Sequence, residues 1–200
     1  METIQGRRSL ELESQEFNEL RAGYHRIIMD IGTGDGRYVH TLAKNNPEWF
    51  VLGLDSCREN LHKYSRRHLP NMLFIIASAQ DIPADLNGLV SHITINFPWG
   101  SLLESLLNAD PMFMHGIENI SHSVASVDIR LNSDALEEAG CDLYRGVVQI
   151  YNNLLAAGWV VEAPVMLNVG ALRDFPSTWA KRLAFGRDPR AMELKGWLSP

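Results

Sequence analysis

Residues 26–37 read R-I-I-M-D-I-G-T-G-D-G-R, and they indicate the fold class of the whole chain. The apolar run at 27–31 predicts a buried strand that ends in a tight turn at Gly32, Gly34 and Gly36. Helical periodicity resumes directly after the turn, so strand, turn and helix open a βαβ unit. Glycines let a ligand lie against the backbone, and the helix behind them begins with unpaired N–H groups. The segment therefore predicts an α/β protein that binds a ligand at this turn.

Acidic residues around the turn indicate which ligand it takes. Asp30 precedes the first glycine and Asp35 separates the last two. Both would repel the pyrophosphate that the G-x-G-x-x-G turn of dinucleotide-binding folds receives, but they suit a ligand with ammonium and sulfonium charges. The next predicted strand, 50–54, ends in Asp55, at the spacing at which an acid binds ribose hydroxyls. The pattern favours S-adenosylmethionine (SAM); a plain glycine-rich turn in another α/β protein is the alternative.

Length and composition suit a single globular domain over residues 1–200, with 46% hydrophobic and 21% charged residues. The apolar runs have strand length and the N-terminus lacks the apolar core of a signal peptide, so no membrane association is expected. Neither the two cysteines, Cys57 and Cys141, nor the seven histidines show metal-ligand spacing. We therefore expect a cytoplasmic protein without a bound metal.

The net charge of −6 argues against a general nucleic-acid binder, but the charge is unevenly distributed. Residues 173–200 contain six basic and three acidic residues, whereas the rest of the chain is acidic. A polyanion is therefore expected to meet the C-terminal face and local basic clusters. An ordinary fluctuation in surface charge is the alternative.

Residues 1–24 are predicted to form an N-terminal extension. Alternating polarity over 2–13 predicts a β-hairpin. Ser14 is the expected N-cap of a helix over 15–21 that turns Phe17 and Leu20 inward.

Seven strands with intervening helices are expected after this extension. They are predicted at 27–31, 50–54, 73–77, 91–96, 123–131, 159–165 and 191–197. Pro164 places the sixth of them near a sheet edge. A helix is predicted over 57–68, an acidic linker over 132–141, and an irregular segment with one short helix over 168–189. This order predicts a class I SAM-dependent methyltransferase, with a Rossmann-like, mostly parallel sheet. Two excursions, 97–122 and 166–189, are expected above the carboxyl ends of its strands.

The segment Phe97-Pro98-Trp99-Gly100-Ser101 follows the fourth strand, which neighbours the first strand in this topology. Pro98 stiffens the loop, and Trp99 is expected to lie beside the reactive methyl group, where it can stack on a base. In similar enzymes that act on exocyclic amines this loop supplies carbonyl oxygens to the target amine, and the backbone carbonyls of Asn96 and Phe97 are expected to accept hydrogen bonds from an adenine amine in the same way. A buried tryptophan that closes the sheet is the alternative.

A second tryptophan lies among basic residues in S-T-W-A-K-R-L-A-F-G-R, residues 177–187. An exposed aromatic ring surrounded by bases suits a protein that stacks on a flipped nucleotide and binds its phosphates. The alternative is a helix that buries Trp179, Leu183 and Phe185 and leaves its two adjacent bases in solvent.

Three segments resemble the aminoglycoside-resistance 16S rRNA methyltransferases of the kanamycin–apramycin type, which modify N1 of the decoding-site adenine. They are D-I-G-T-G-D-G-R at 30–37, F-P-W-G-S-L-L-E at 97–104 and the segment at 177–187. The first is shared with many methyltransferases, whereas the other two are much more specific. The resemblance extends over most of the chain. It implies a monomeric enzyme that uses SAM to methylate 16S rRNA in the 30S subunit and so confers aminoglycoside resistance.

The resemblance also implies roles for individual residues. It puts the flipped target adenine between Trp99 and Trp179, beside Phe97 and Pro98. Residues expected around the cofactor are Asp30, Gly32, Thr33, Gly34, Asp35, Asp55, Ser56, Ala79, Gln80, Asn96, Ser101 and Ser177. Residues expected to contact RNA are Arg66, Arg67, Lys181, Arg182, Arg187 and Arg190.

Three departures from the family pattern bear on RNA docking. The basic linker before the third strand is reduced to residues 68–71, the linker at 132–141 is acidic, and Asp188 interrupts a basic stretch. Each missing phosphate contact weakens RNA binding and its dependence on salt. Two alternatives therefore stay open. One is a methyltransferase for another RNA, of the tRNA guanine-N7 type, and the other is a weakly active SAM-binding homologue that docks on RNA.

Overall fold

A ten-stranded sheet forms the centre of the protein in the computed structural model, which describes residues 1–198. Its strands are β1 (Glu2–Gln5), β2 (Arg8–Glu11), β3 (Arg26–Ile31), β4 (Trp49–Asp55), β5 (Met72–Ile76), β6 (Val90–Asn96), β7 (Ser121–Asn132), β8 (Trp159–Val161), β9 (Val165–Leu167) and β10 (Ala191–Leu198). The order across the sheet is β2-β1-β5-β4-β3-β6-β7-β10-β8, with β9 beside β10. Neighbours from β5 to β7 pair in parallel, while the strands outside them pair antiparallel. This is the mostly parallel α/β sheet that the sequence predicts.

The sheet has more than the seven strands predicted, for two reasons. The N-terminal hairpin, β1 and β2, joins the edge of the sheet through β5, with Thr3 opposite Ile75. The predicted sixth strand at 159–165 is divided into β8 and β9, because Pro164 lacks the N–H that a continuous ladder requires. Both halves pair with β10, and β8 is the outermost strand on that side, as Pro164 indicated.

Nine α-helices connect the strands of residues 1–198. They are α1 (Ser14–Arg21), α2 (Arg37–Asn45), α3 (Arg58–Leu61), α4 (Gly100–Asn108), α5 (Pro111–Ile120), α6 (Ser133–Glu138), α7 (Leu143–Ala156), α8 (Val169–Asp174) and α9 (Thr178–Gly186), with a 3-10 turn at Ala84–Leu86. None of these helices is long and apolar enough to cross a bilayer. The same residues contain no group of three or more His, Cys, Asp or Glu placed to hold a metal ion.

Helix α1 forms as predicted but is capped differently. Glu13, not Ser14, is its N-cap, and Glu13 and Glu16 form a capping box. Phe17 is buried against Phe50, with ring centroids 6.2 Å apart. Leu20 is 46% exposed, so its predicted inward position is wrong: the short helix buries only Phe17.

The helix predicted over 57–68 is much shorter, because α3 ends at Leu61 and turns follow it. The hydroxyl of Ser65 donates to the carbonyl of Leu61 (2.7 Å) and accepts the N–H of Gly6 (3.0 Å). Side-chain hydrogen bonds of this kind compete with the helical ladder. Here they tie the segment to the turn of the N-terminal hairpin.

Two helices form where the sequence predicts irregular structure, α6 in the linker at 132–141 and α8 in the segment at 168–189, whereas the short helix predicted in the second segment is confirmed as α9. Residues 132–141 contain α6, which buries Ala135 and Leu136 despite the acidic residues around them. Residues 168–189 contain α8 and α9, which begin at the N-caps Asn168 and Ser177. The side-chain oxygens of these two residues accept the N–H groups of Ala171 and Ala180.

A small apolar cluster fixes α8 and α9 to the end of the sheet. Its buried members are Phe97, Leu172, Ala180, Leu183 and Ala191. Phe97 directly follows β6 and Ala191 begins β10, so the cluster joins both helices to the carboxyl end of β6. The two excursions predicted at 97–122 and 166–189 therefore meet around Phe97.

Candidate active site

A cavity of about 470 Å³ opens at the carboxyl ends of β3, β4, β5 and β6, a volume within the range of small-molecule sites. All sixteen residues that the sequence assigns to the cofactor or the target base line this cavity. They converge because β3 and β6 are neighbours, which places the glycine turn beside the loop after β6. Tyr38, Asn60 and Thr178 also line it, although sequence reasoning missed them. Each lies within five residues of a residue that was singled out.

The glycine turn depends on both conformation and packing. Gly32 and Gly34 have φ values of 71° and 57°, which residues with side chains rarely adopt. A Cβ atom on Gly32 would clash with Cδ2 of Leu102, so a glycine at this position lets the turn approach α4 closely. Gly34 lines the cavity, and the space that its Cβ would fill is open. The backbone at Gly34 is therefore accessible to a ligand.

Asp55, at the end of β4, is bound by the glycine turn. Its Oδ2 accepts the N–H of Gly34 (2.7 Å), and its Oδ1 accepts the N–H of Cys57 (2.9 Å). Burial raises the pKa of Asp55, and these two hydrogen bonds oppose the rise. An acid at this position in a nucleotide-binding sheet is placed to bind ribose hydroxyls.

Asp30, at the end of β3, is a buried carboxyl group, 2% exposed. Its Oδ1 accepts hydrogen bonds from Oγ1 of Thr94 (2.6 Å) and Nδ2 of Asn96 (2.7 Å) on β6. Burial raises the pKa of Asp30 to about 6, although these two donors and the charge of Arg130 favour the ionised form. At neutral pH Asp30 is therefore mostly a carboxylate, which attracts a cation into the cavity.

The loop after β6 carries a backbone strain at Phe97. Its φ of 56° lies in the left-handed region, which costs on the order of 1–3 kcal/mol for a residue other than glycine. The buried side chain of Phe97 and a hydrogen bond from its N–H to the carbonyl of Arg130 (2.7 Å) stabilise this conformation. The resulting change of direction brings Pro98 and Trp99 to the cavity, and α4 begins directly afterwards.

Trp99 and Trp179 stack on each other in the cavity wall. Their ring centroids are 5.1 Å apart and their planes are inclined by 28°. The guanidinium groups of Arg182 and Arg187 lie 5.1 and 5.2 Å from the ring centroid of Trp179, which is a cation–π geometry. The structure thus joins the two tryptophan segments and surrounds one of them with positive charge.

The helix that carries Trp179 is not the fully buried helix considered as an alternative. Leu183 is buried, but Phe185 is 70% exposed and Trp179 is half-buried. The segment is tied to the glycine turn as well, since Oγ1 of Thr178 donates to Oδ2 of Asp35 (2.8 Å). Asp35 therefore links the glycine turn to the helix that carries Trp179.

Two buried polar atoms at the cavity are placed to bind a ligand. Among the buried side-chain atoms of residues 1–198 that lack a hydrogen-bond partner, Thr33 Oγ1 and Trp99 Nε1 belong to residues that line the cavity. Such a group costs about 1–3 kcal/mol when it stays unpaired, so both favour a bound molecule that supplies a partner. By contrast, the amide of Gln80 is already paired with Ser105 (2.7 Å) and with Ser78. Its side chain stabilises the loop and leaves contacts with a ligand to the backbone.

The predicted RNA-contacting residues of the C-terminal segment have different surroundings. Arg182 and Arg187 lie at Trp179, as described above, and Nζ of Lys181 donates to the carbonyl of Arg173 (3.3 Å). Acidic residues partly neutralise this surface. Arg187 lies 3.6 Å from Asp134, and Arg190 forms ion pairs with Glu137 (3.0 Å) and Asp188.

Arg66 and Arg67 lie on the turns after α3, not on a helix as predicted. The guanidinium group of Arg67 is 4.9 Å from the ring centroid of Tyr64. Arg66 contacts the hairpin turn, since a Cβ atom on Gly6 would lie 3.2 Å from its Cγ. Neither residue lines the cavity, so the structure separates them from the site around the tryptophans.

Comparison with known proteins finds similarity over the whole chain to methyltransferases that act on 16S rRNA. A family model described as NpmA, 16S rRNA (adenine(1408)-N(1))-methyltransferase, matches residues 2–197. The 16S rRNA (adenine(1408)-N(1))-methyltransferase of Escherichia coli is 30% identical, with 98% of each chain covered. The crystal structure of the 16S rRNA methyltransferase KamB is similar with a TM-score of 0.89, at 28% identity and with 100% of each chain covered.

A tRNA (guanine-N(7)-)-methyltransferase of Bacillus cytotoxicus is 31% identical, but only 42% of each chain is covered. The similarity to this enzyme is thus partial, whereas the match to the 16S rRNA enzymes includes both tryptophan segments and the sheet between them. Enzymes of the matching family depend on SAM. The cavity with its glycine turn, its carboxylates and its tryptophan pair agrees with that dependence. The chain belongs to the 16S rRNA (adenine(1408)-N(1))-methyltransferase family.

Proposed function

We propose that this protein methylates N1 of adenine 1408 of 16S rRNA in the 30S subunit and thereby confers aminoglycoside resistance. The observation that carries the proposal is the stacked pair Trp99 and Trp179 beside a cavity with a buried carboxylate. A monomer suffices for this site, because one chain supplies the glycine turn, the acids and both tryptophans. The cytoplasm, where ribosomal subunits are located, is part of the same proposal.

The residues of the cavity fit SAM. The ammonium group of its methionine end would pair with Asp30 and receive a further partner in Thr33 Oγ1. The ribose of SAM would bind Asp55, and its adenine would border Ala79. Gly34 leaves space for the cofactor against the backbone. When bound, SAM supplies a methyl carbon on a sulfonium sulfur, which keeps the electron pair of the breaking C–S bond.

The protein needs to orient the target base rather than to activate it. N1 of adenine has a free lone pair at neutral pH, so no general base is required. Good alignment of two reactants contributes on the order of 7–11 kcal/mol to a rate enhancement. The carbonyl groups of Asn96 and Phe97 would accept hydrogen bonds from the adenine amine and so direct N1 toward the methyl group.

The tryptophan pair must open to admit a base. Stacked bases lie ~3.4 Å apart, so a base between two indole rings separates them by about 7 Å, roughly 2 Å more than the pair shows here. Opening removes one aromatic contact worth about 0.5–1.5 kcal/mol. Two base–indole contacts of about 1–3 kcal/mol each replace it. The surplus offsets the few kcal/mol needed to flip the base out of its stack, and cation–π attraction favours the methylated, cationic product.

Arg182 and Arg187 would bind the phosphates next to the flipped nucleotide, because they lie at the ring of Trp179. Contacts of this type position an RNA without reading its sequence, and they weaken as salt increases. The ion pairs of Arg187 and Arg190 with acidic residues reduce the charge available for such contacts.

Transfer of a labelled methyl group from SAM to purified 30S subunits, free 16S rRNA and tRNA tests this function. Methylated positions are mapped by primer extension, since N1-methyladenosine blocks copying. We expect a single stop at adenine 1408, with 30S subunits only. Transfer of labelled methyl groups to tRNA would support the alternative substrate. Binding of SAM without transfer to any of the three RNAs would support the weakly active, RNA-docking homologue.

A further inference from the structure

A polar stripe crosses one face of the sheet behind the cofactor carboxylate. Asp30 on β3 is opposite Thr94 on β6, Asn96 on β6 is opposite Arg130 on β7, and Arg130 is opposite Glu193 on β10. These positions belong to four adjacent strands, so their side chains meet across the sheet. Sequence analysis did not single out Arg130, because the nearest residue of the glycine turn is about a hundred positions away.

The side chain of Arg130 is 11% exposed, and both of its terminal nitrogens have polar partners. Its Nη1 donates to Oδ1 of Asn96 (2.8 Å). Its Nη2 lies 3.2 Å from Asp128 and 2.5 Å from Glu193. The face of the guanidinium group covers the ring of Phe175, 4.5 Å from the centroid. A planar group with several fixed donors is required for this set of contacts, and lysine cannot make them.

Arg130 determines which way the amide of Asn96 points. A guanidinium group only donates hydrogen bonds, so it must face the amide oxygen. The amide nitrogen of Asn96 then faces Asp30 and donates to its Oδ1 (2.7 Å). Without Arg130 the amide can rotate by half a turn, which would bring its oxygen against the carboxylate. The hydrogen bonds that run from Arg130 through Asn96 to Asp30 thus favour the charged form of Asp30.

We propose that Arg130 is a positioning residue that, through Asn96, presents Asp30 to the ammonium group of SAM. The inference rests on the proposed function, because it takes SAM as the ligand at Asp30. Phe175 extends the same arrangement toward the substrate side, since its ring stacks on Tyr38 and meets Phe97 edge-on. Arg130 therefore supports the carboxylate and the wall from which Trp99 and Trp179 project.

Several titratable groups surround this network and bear on its pH dependence. They are Asp30 on β3, His92 on β6, Asp128 on β7, Glu193 and Lys195 on β10, and Tyr38 on α2. Burial raises the pKa of Tyr38 to about 12 and lowers the pKa of His92, so both are neutral near pH 7. Removal of Arg130 would take away a positive charge that favours the ionised form of Asp30, so the pKa of Asp30 would rise.

The test is calorimetric titration of SAM into the wild-type protein, Arg130→Met and Asn96→Leu at pH 6.0 and 8.5. At pH 6.0 we expect Arg130→Met to bind SAM about fivefold more weakly, because a rise of one unit in the pKa of Asp30 lowers its ionised fraction from about one half to about one tenth. The ratio of the two dissociation constants should shrink at pH 8.5, where Asp30 is ionised in both proteins. The ratio also cancels the titration of the SAM amino group itself.

Asn96→Leu removes the link without removing the charge, and it should weaken SAM binding in the same direction. Arg26→Met is a matched control, since Arg26 also covers an aromatic ring, that of Trp49 at 4.4 Å, but at the opposite end of β3. The proposal would be overturned if the ratio of the SAM dissociation constants of Arg130→Met and the wild type did not change with pH. Wild-type affinity for SAM in Asn96→Leu would overturn it as well. Both readouts are independent of the RNA, so failure of the methylation assay would leave this test intact.

Discussion

The buried carboxylate of Asp30 lowers the free energy of unfolding near pH 7, although the proposed function requires it. Its pKa of about 6 in the folded protein lies above the ordinary value of 3.8. Between these pH values the folded state holds a proton that the unfolded state has lost, so the free energy of unfolding falls as pH rises. The loss from this group is complete above pH 6 and amounts to about 3 kcal/mol.

Asp30→Asn should therefore raise the free energy of unfolding of the SAM-free protein at pH 7 by up to about 3 kcal/mol. The same change should abolish SAM binding, because the amide cannot pair with an ammonium group. Urea unfolding at pH 7 and pH 4 measures the first effect, and the difference between variant and wild type should vanish at pH 4. A variant less stable than the wild type at pH 7 would show that the carboxylate is stabilising.

Trp179→Ala tests the stacking role. It removes one base–indole contact, so kcat/KM for 30S methylation should fall about 5- to 150-fold, corresponding to 1–3 kcal/mol. SAM affinity should stay within about twofold of the wild type, since most residues proposed to bind SAM lie at the ends of β3, β4 and β5. Phe185→Ala is the matched control, an exposed aromatic residue of the same helix that does not line the cavity. Loss of SAM binding in Trp179→Ala would argue against a role confined to the base.

At the scale of elements, the hydrogen bond from Thr178 to Asp35 couples α9 to the glycine turn. Thr178→Val removes the hydroxyl and keeps the shape of the side chain. We expect faster amide hydrogen exchange over residues 169–186 and a rise of severalfold in KM for 30S subunits, because α9 then loses one of its ties. Thr178→Ser keeps the hydroxyl and should resemble the wild type. Unchanged exchange in Thr178→Val would mean that the apolar cluster alone fixes α9.

The elements that sequence predicts well are those governed by local pattern. β3, the glycine turn and α2 follow from the apolar run, the glycines and the helical periodicity, and the structure confirms them. The predicted C-terminal end of α3 was wrong because Ser65 forms a hydrogen bond with Gly6, a contact between segments far apart in sequence. Pro164 predicted an edge strand, but the division of that strand into β8 and β9 is visible only in their separate pairings with β10.

The candidate site likewise contains residues that could be predicted from the sequence and residues that could not. Residues of the cavity wall follow strand ends, so their convergence could be predicted from topology. The role inferred for Arg130 could not be predicted from topology, because it depends on the register of β7 between β6 and β10. Arginine in a strand is not distinctive by itself, and only its partners Asn96 and Glu193 make it so.

At the scale of the whole molecule, the acidic residues of and around α6 limit the positive surface near Trp179. Asp134 lies 3.6 Å from Arg187, and Glu137 lies 3.0 Å from Arg190. Asp134→Asn should free Arg187 for a phosphate and so strengthen binding to 30S subunits. The slope of log affinity against log salt should steepen by about 0.7–0.9.

Filter binding across a salt series measures this effect. Glu48→Gln is the matched control, because it changes the net charge equally but lies before β4, at the end of the sheet away from the cavity. Equal effects of the two variants would mean that overall charge, not Arg187, governs docking. No gain with Asp134→Asn would place Arg187 outside the RNA contact.

The mutual stacking of Trp99 and Trp179 has a consequence for selectivity in the cell. A free nucleoside such as adenosine offers the same adenine ring as the ribosome. It would have to separate the indole rings without the phosphate contacts that we propose for a docked ribosomal subunit at Arg182 and Arg187. We therefore expect the closed pair to act as a threshold that only an anchored base crosses, so that free adenosine is a poor inhibitor and a poor methyl acceptor.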